Sequence, residues 1–225
     1  GTPPLAAGGG RPEAMAAAVA GLARRLAPVT LVGHSLGAQV AVSLAAHLRE
    51  EVRAVALLAP LVLRRRRRLP PRGPGDLLLV PVVGPPLARL AIGRARRDEG
   101  RRRRAFLAAV AEPERLASAP GMPELLDEAV ARLAGADLGA LVDWASAGLR
   151  RDLRPVARRV PQPALVVAGG RDRVAPPAGA RALAAALPRG RLLSVPDVAH
   201  FPHLEAPGRV VPAVVAHAAS GIMRA

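Results

Sequence analysis

From residue 12 onward the apolar positions fall into two rhythms. Met15, Val19, Leu22 and Leu26 recur three or four apart, which places them on one side of a helix over residues 12–27. Pro12 suits the first turn of that helix, where its missing N–H costs nothing, and Glu13 complements the positive helix end. Residues 29–32, Val-Thr-Leu-Val, are a short apolar run after a proline with helical patterns on both sides, as in a buried parallel strand. An alanine-rich apolar helix over residues 38–48 and a second run over 52–58, closed by Pro60, repeat the pattern. Strand, helix, strand in that order is a βαβ unit and implies a parallel sheet with right-handed crossovers.

The rhythm breaks after residue 60. Residues 64–68 are all arginine, a proline- and glycine-rich stretch runs to Pro86, and residues 101–104 are a second arginine run. Helical spacing returns in three patches: Phe106, Leu107 and Val110; Leu125, Leu126, Ala129 and Leu133; and Leu138, Leu141, Val142 and Ala145 with Trp144. No strand pattern of any length lies between residues 87 and 159. The parallel pattern then resumes, with a strand over 164–168, a helix over 177–187, a strand over 191–195 and a last helix over about 207–218. The expected organisation is a core of residues 1–60 and 155–225, with residues 61–154 a helical insertion laid over the sheet. Residues 1–10 are punctuated by glycine and proline and read as loop.

Composition changes this picture in few places. The chain of 225 residues is half apolar, enough for one good core and too apolar for a disordered chain. Its formal net charge is +16, and every basic residue apart from the five histidines is arginine. Lysine, asparagine and tyrosine, all with AT-rich codons, are absent. We hypothesise that GC-rich coding accounts for much of the arginine; an ordinary GC fraction at the gene's third codon positions would refute this. The charge attracts polyanions non-specifically at low salt. The arginine runs read first as solvated faces of the insertion. Single-strand recognition adds aromatic platforms, and here only Phe106, Phe201 and Trp144 exist, so no specific nucleic-acid partner is expected. Without cysteine there are no disulfides or thiolate metal sites. Residues 77–92 are broken by Pro81, Pro85, Pro86 and Arg89, so no membrane span is expected. No feature of the chain speaks to oligomeric state.

Ser35 stands between Gly33 and Gly37, where an expected strand meets an expected helix, the context a G-x-S-x-G nucleophile requires. A sharp turn there exposes the hydroxyl, and the flanking glycines avoid clashes with neighbouring backbone. The helix start leaves N–H groups unpaired, so the Leu36 amide can donate to an oxyanion. Alternatively, Ser35 merely caps the helix. A serine nucleophile needs a base, and the base an acid to orient it. Asp172 and His200 each follow the C-terminal end of an expected strand, and in an open parallel sheet those ends share one edge, where ligands bind. Other assignments stay open. Asp172 also suits an ordinary turn, Asp197 is nearer His200 in sequence, and His203 could replace His200. His34, His47 and His217 read as packing or surface residues.

Val32-Gly33-His34-Ser35-Leu36-Gly37-Ala38, Gly169-Gly170-Arg171-Asp172-Arg173-Val174-Ala175-Pro176 and Ala199-His200-Phe201-Pro202-His203-Leu204-Glu205-Ala206-Pro207 resemble the nucleophile elbow, acid loop and histidine loop of the α/β-hydrolase family, in the family's order of Ser, Asp, His. The resemblance covers residues 12–60 and 155–218, with the insertion where members carry a helical cap. It implies an α/β three-layer sandwich with a mostly parallel sheet, and a serine hydrolase cleaving a carboxylic ester or related acyl compound through an acyl-enzyme. Ser35 would attack, His200 would shuttle the proton, Asp172 would orient His200 and the Leu36 amide would hold the oxyanion, with Gly33, His34 and Gly37 shaping the elbow. No metal and no organic cofactor are implied; the partner is a small-molecule acyl substrate.

Family members have further strands before the elbow and a His-Gly-type segment that supplies a second oxyanion donor. Nothing in residues 1–28 resembles these. The expectation is therefore the C-terminal half of the family's sheet, from a longer gene product or a decayed reading frame. Two other readings are a non-catalytic remnant or interaction module, and an arginine-driven polyanion binder.

Overall fold

The computed structural model describes residues 12–62, 97–135 and 152–222, together with residues 90, 93, 94, 137, 142–144, 147 and 148. The expectations for residues 1–10, the arginines at 64–68, the stretch to Pro86, and Leu138, Leu141 and Ala145 lie outside the described residues.

Helix α1 (Pro12–Leu26) leads into strand β1 (Val29–His34), helix α2 (Leu36–His47) and strand β2 (Val52–Leu58). Among the described residues, the helices α3 (Glu99–Leu107), α4 (Pro113–Ala117) and α5 (Met122–Ala134) lie beyond β2, then the short α6 (Arg154–Ala157). Strand β3 (Ala164–Gly169), helix α7 (Pro177–Ala186), strand β4 (Gly190–Val195), the short α8 (Pro202–Glu205) and α9 (Pro207–Ile222) complete the order. The strands pair side by side in the order β1-β2-β3-β4, every pair parallel.

Side-chain alternation divides the core. On β3, Ala164, Val166 and Ala168 join Val55 and Leu57 of β2 in a cluster packed by α1, α2, α6 and α7. The intervening Leu165 and Val167 join Leu58, Val195 and Val210 in a second cluster, beneath α9. Both faces of the central strands are thus covered by helices, which is why β2 and β3 read as continuous apolar runs rather than alternating ones. α2 is apolar almost all round because it touches β1, β2, α1 and α6 at once. A third cluster, Val110, Leu116, Met122 and Leu126 with Phe106, Leu107, Phe201 and Leu204, joins α3–α5 to the loop after β4.

The structure differs from the sequence pattern in two places. The buried stripe of α1 is Ala16, Ala20 and Ala23, while Val19, Leu22 and Leu26 are 38%, 51% and 63% exposed. Small side chains let α1 lie close on α2, and the bulkier stripe therefore turns outward. The helices α4, α6 and α8 were not anticipated; each has a proline in its first turn and is too short for a period to show.

Candidate active site

β1 ends at His34 and α2 begins at Leu36, so Ser35 alone turns the chain between them. Its backbone sits at φ 54, ψ −117, a conformation that costs a non-glycine residue about 1–3 kcal/mol. Neighbouring bonds hold it there: the Ser35 N–H donates to Leu58 O at 2.9 Å, and its carbonyl accepts from Ala38 N at 3.2 Å and Leu61 N at 3.3 Å. The side chain makes no capping bond to α2, so the cap reading fails. A Cβ at Gly33 would lie 2.6 Å from Gly37 O and 2.8 Å from Ala38 Cα, so only glycine fits without backbone movement. At Gly37, by contrast, nothing lies within 4 Å of an added Cβ. One turn into α2, the buried Gln39 donates to Leu61 O at 2.7 Å and Gly148 O at 3.0 Å, fastening residues that flank the long excursion between β2 and β3.

Asp172 and His200 come from the loops after β3 and β4. A side chain on Gly169 would strike Ala199 O, and one on Gly170 would strike Pro196 O, so the paired glycines let the two loops cross backbone to backbone. Asp172 is 4% exposed and His200 5%. Asp172 Oδ1 accepts from the amides of Val174 and Ala175, both at 2.8 Å, while Oδ2 accepts from His200 Nδ1 at 2.8 Å. The aspartate therefore makes the turn and also reaches the histidine. His200 Nε2 lies 3.0 Å from Ser35 Oγ.

The backbone around His200 is held just as closely. The amides of Ala199, His200 and Phe201 donate in succession to Glu205 Oε2, Ala109 O and Glu205 Oε1, each at 3.0 Å. Glu205 Oε2 also accepts from Ala111 N at 2.8 Å. The His200 carbonyl accepts from His34 Nε2 at 2.7 Å. His34 stacks on Phe201 at 5.2 Å between centroids, and Phe201 stacks on Phe106 at 4.4 Å. Burial lowers the His34 pKa, against the raising effect of its bond to the His200 carbonyl. Burial, with the neighbouring imidazoles of His34 and His200, pushes His203 down to about 4.

A family model described as the Alpha/beta hydrolase family matches residues 3–213. The chain belongs to that family. Over 196 residues this α/β-hydrolase is 30% identical to the pimeloyl-[acyl-carrier protein] methyl ester esterase of Neisseria meningitidis serogroup B (strain MC58), covering 86% of this chain and 70% of that protein. The enol-lactonase of Burkholderia xenovorans LB400 superposes with a TM-score of 0.65 at 25% identity, over 94% of this chain and 75% of that one. A thermophilic esterase from Thermogutta terrifontis shares the fold, with a TM-score of 0.67 at 23% identity, over 95% of this chain and 74% of that one.

Other candidates in this α/β-hydrolase lie elsewhere. Both oxygens of Asp197 accept from Arg209 at 2.6 Å on the surface, and that bonding lowers its pKa. His203 stands edge-on to His34, with ring centroids 5.1 Å apart, and His200 rather than His203 faces Ser35. His47 is exposed, and the buried His217 donates to Val55 O at 3.1 Å, a packing role. In the second arginine run, Arg101 pairs with Asp98, Arg102 Nε donates to Val130 O and Arg103 pairs with Asp127. These side chains fasten α3 to its surroundings. Among the described residues no helix is long and apolar enough to cross a membrane. Sequence reasoning missed three groups beside His200: the His34 ring, the Glu205 carboxylate and the Ala109 carbonyl. Of these, His34 and Glu205 had a signal, their places in the family-like nucleophile elbow and histidine loop, while the contact each makes near His200 had none.

Proposed function

We propose that this α/β-hydrolase cleaves carboxylic esters, with Ser35 as nucleophile, His200 as base and Asp172 as the group that orients the base. The observation that carries this is the unbroken hydrogen-bonded line from Ser35 Oγ through His200 to Asp172, 3.0 Å and 2.8 Å long. A carboxylate oxygen only accepts, so Nδ1 holds the ring proton and Nε2 of the neutral ring is free to take the proton of Ser35. As Oγ bonds to the acyl carbon, its proton passes to Nε2. The resulting oxyanion forms at the N-terminus of α2, where the Leu36 amide is one of the first-turn donors and the helix dipole favours negative charge.

Collapse breaks the bond to the alcohol, which leaves with the proton from Nε2. Water then attacks the acyl-Ser35 ester, gives its proton to Nε2, and releases the acid as the proton returns to Oγ. Every step uses these side chains and water alone. Residues 61–154 would form the cap over the acyl pocket. Related proteins named as a methyl ester esterase and an enol-lactonase support an ester as the substrate.

A fluorophosphonate probe tests this. Labelling of the wild-type protein that disappears in Ser35→Ala is the expected result. Soluble, folded wild-type protein that takes no label would overturn the proposal in favour of a non-catalytic interaction module.

A further inference from the structure

Three consecutive amides, those of Ala199, His200 and Phe201, point at acceptors that come from two different parts of the chain. Glu205 takes the outer two, one on each carboxylate oxygen, and the Ala109 carbonyl takes the middle one. Glu205 Oε2 takes a further amide, that of Ala111. The segment at residues 109–111, between α3 and α4, is thereby stitched to the peptide that carries His200. Phe201 and Leu204 of the same loop pack into the α3–α5 cluster, so the stitching has an apolar underside.

We propose that Glu205 is a positioning residue: it sets the backbone of His200 against both the α3–α4 segment and Ser35, so that the imidazole meets the hydroxyl in line. The proposal rests on His200 being the base. The chemistry calls for a carboxylate in this place. A group that must accept on both oxygens from three N–H donors has to be acceptor-only, and an amide offers one accepting oxygen and an NH2 that would face an N–H. Glu205→Gln keeps the shape and loses one side of the clamp. Either Phe201 N, or Ala199 N together with Ala111 N, then lacks its acceptor, and the loop shifts to find others. Displacements on the order of 1 Å cost about a hundredfold in rate when they misalign reacting groups.

Hydrolysis of p-nitrophenyl butyrate by the full chain tests this. Glu205→Gln should lower kcat by about ten- to a hundredfold while KM changes by less than about threefold, as expected when an interaction is used in the transition state rather than in binding. In a His200→Ala background the same substitution should cost nothing further, because its effect runs through His200. An equal loss in both backgrounds, or no loss in either, overturns the proposal. Fluorophosphonate labelling of the wild type keeps the two hypotheses apart. If the wild type labels at Ser35 and Glu205→Gln is unaffected, the positioning role falls alone; if the wild type does not label, the esterase reading falls first. Amide hydrogen exchange on the wild type needs no variant to fold. The Ala111, Ala199 and Phe201 amides should exchange slowly and open together, and rapid exchange at Phe201 or Ala111 would overturn the proposal.

Discussion

Ser35 and His200 meet across 3.0 Å, yet the two sides of the contact are built by different physics. On the serine side the means are local and steric: one residue at positive φ, a glycine four positions from the carbonyl it must clear, and a helix that starts at once. On the histidine side they are polar and distant. The ring is held by Asp172, the amides by Glu205 and Ala109, and the carbonyl by His34, which stands 166 residues earlier in the chain. A steric turn tolerates few substitutions and needs few partners. A hydrogen-bonded loop spreads its dependence over many residues.

The largest effect should come from the deepest member of the polar side. Asp172→Asn puts an NH2 within reach of Nδ1 and favours the wrong tautomer; ester turnover should fall by about 10⁴-fold, as for the equivalent change in a Ser-His-Asp protease. A loss smaller than tenfold in assays with p-nitrophenyl butyrate would remove Asp172 from that role.

The steric side breaks differently. Gly33→Ala forces a Cβ against Gly37 O and Ala38 Cα and should cost about 1–3 kcal/mol in urea unfolding. Gly37→Ala, with open space around it near the start of a helix, should be neutral or stabilise by up to about 1 kcal/mol. Equal penalties at the two glycines would erase the asymmetry.

The smallest effect concerns pH. The folded-state pKa of His203 is depressed to about 4 from an ordinary 6.5. Between those values the unfolded chain binds more protons than the folded one, so stability is complete above about 6.5 and is lost as pH falls toward 4. His34, lowered in the same direction, adds to the slope. Urea midpoints at pH 7 and pH 5 should converge in His203→Phe relative to wild type; an unchanged difference would show that other groups carry the pH dependence.

The same contrast decides what could be read in the sequence. Strand β2 occupies the anticipated residues 52–58 and β3 lies within a residue of expectation, because a run buried on both faces is written contiguously; β4 and α7 also lie within a residue of expectation. The orientation of α1 was not legible: leucine and valine outweigh alanine in any hydrophobic pattern, while close helix packing here selects alanine. That Ser35, Asp172 and His200 come together was legible because each sits at the end of a strand on one edge of a parallel sheet. His34 was named only as an elbow residue, and its bond to the His200 carbonyl was not legible, since carbonyls leave no mark in a sequence. For the same reason Ala109, which acts through its backbone oxygen, was invisible, whereas Glu205 was quoted within a motif but without its partners.

The parallel pairing also has a consequence in time. Among the described residues no strand is joined to its neighbour by a hairpin, and the serine and histidine that touch are 165 positions apart. During synthesis the turn at Ser35 leaves the ribosome long before Asp172, His200 or Glu205 exists. It must keep its shape before any of these partners exists, which is what a steric turn can do and a hydrogen-bonded loop cannot. The contact between Ser35 and His200 is thus among the last features of the molecule to form, and no nascent chain that ends before Glu205 can complete the clamp around His200.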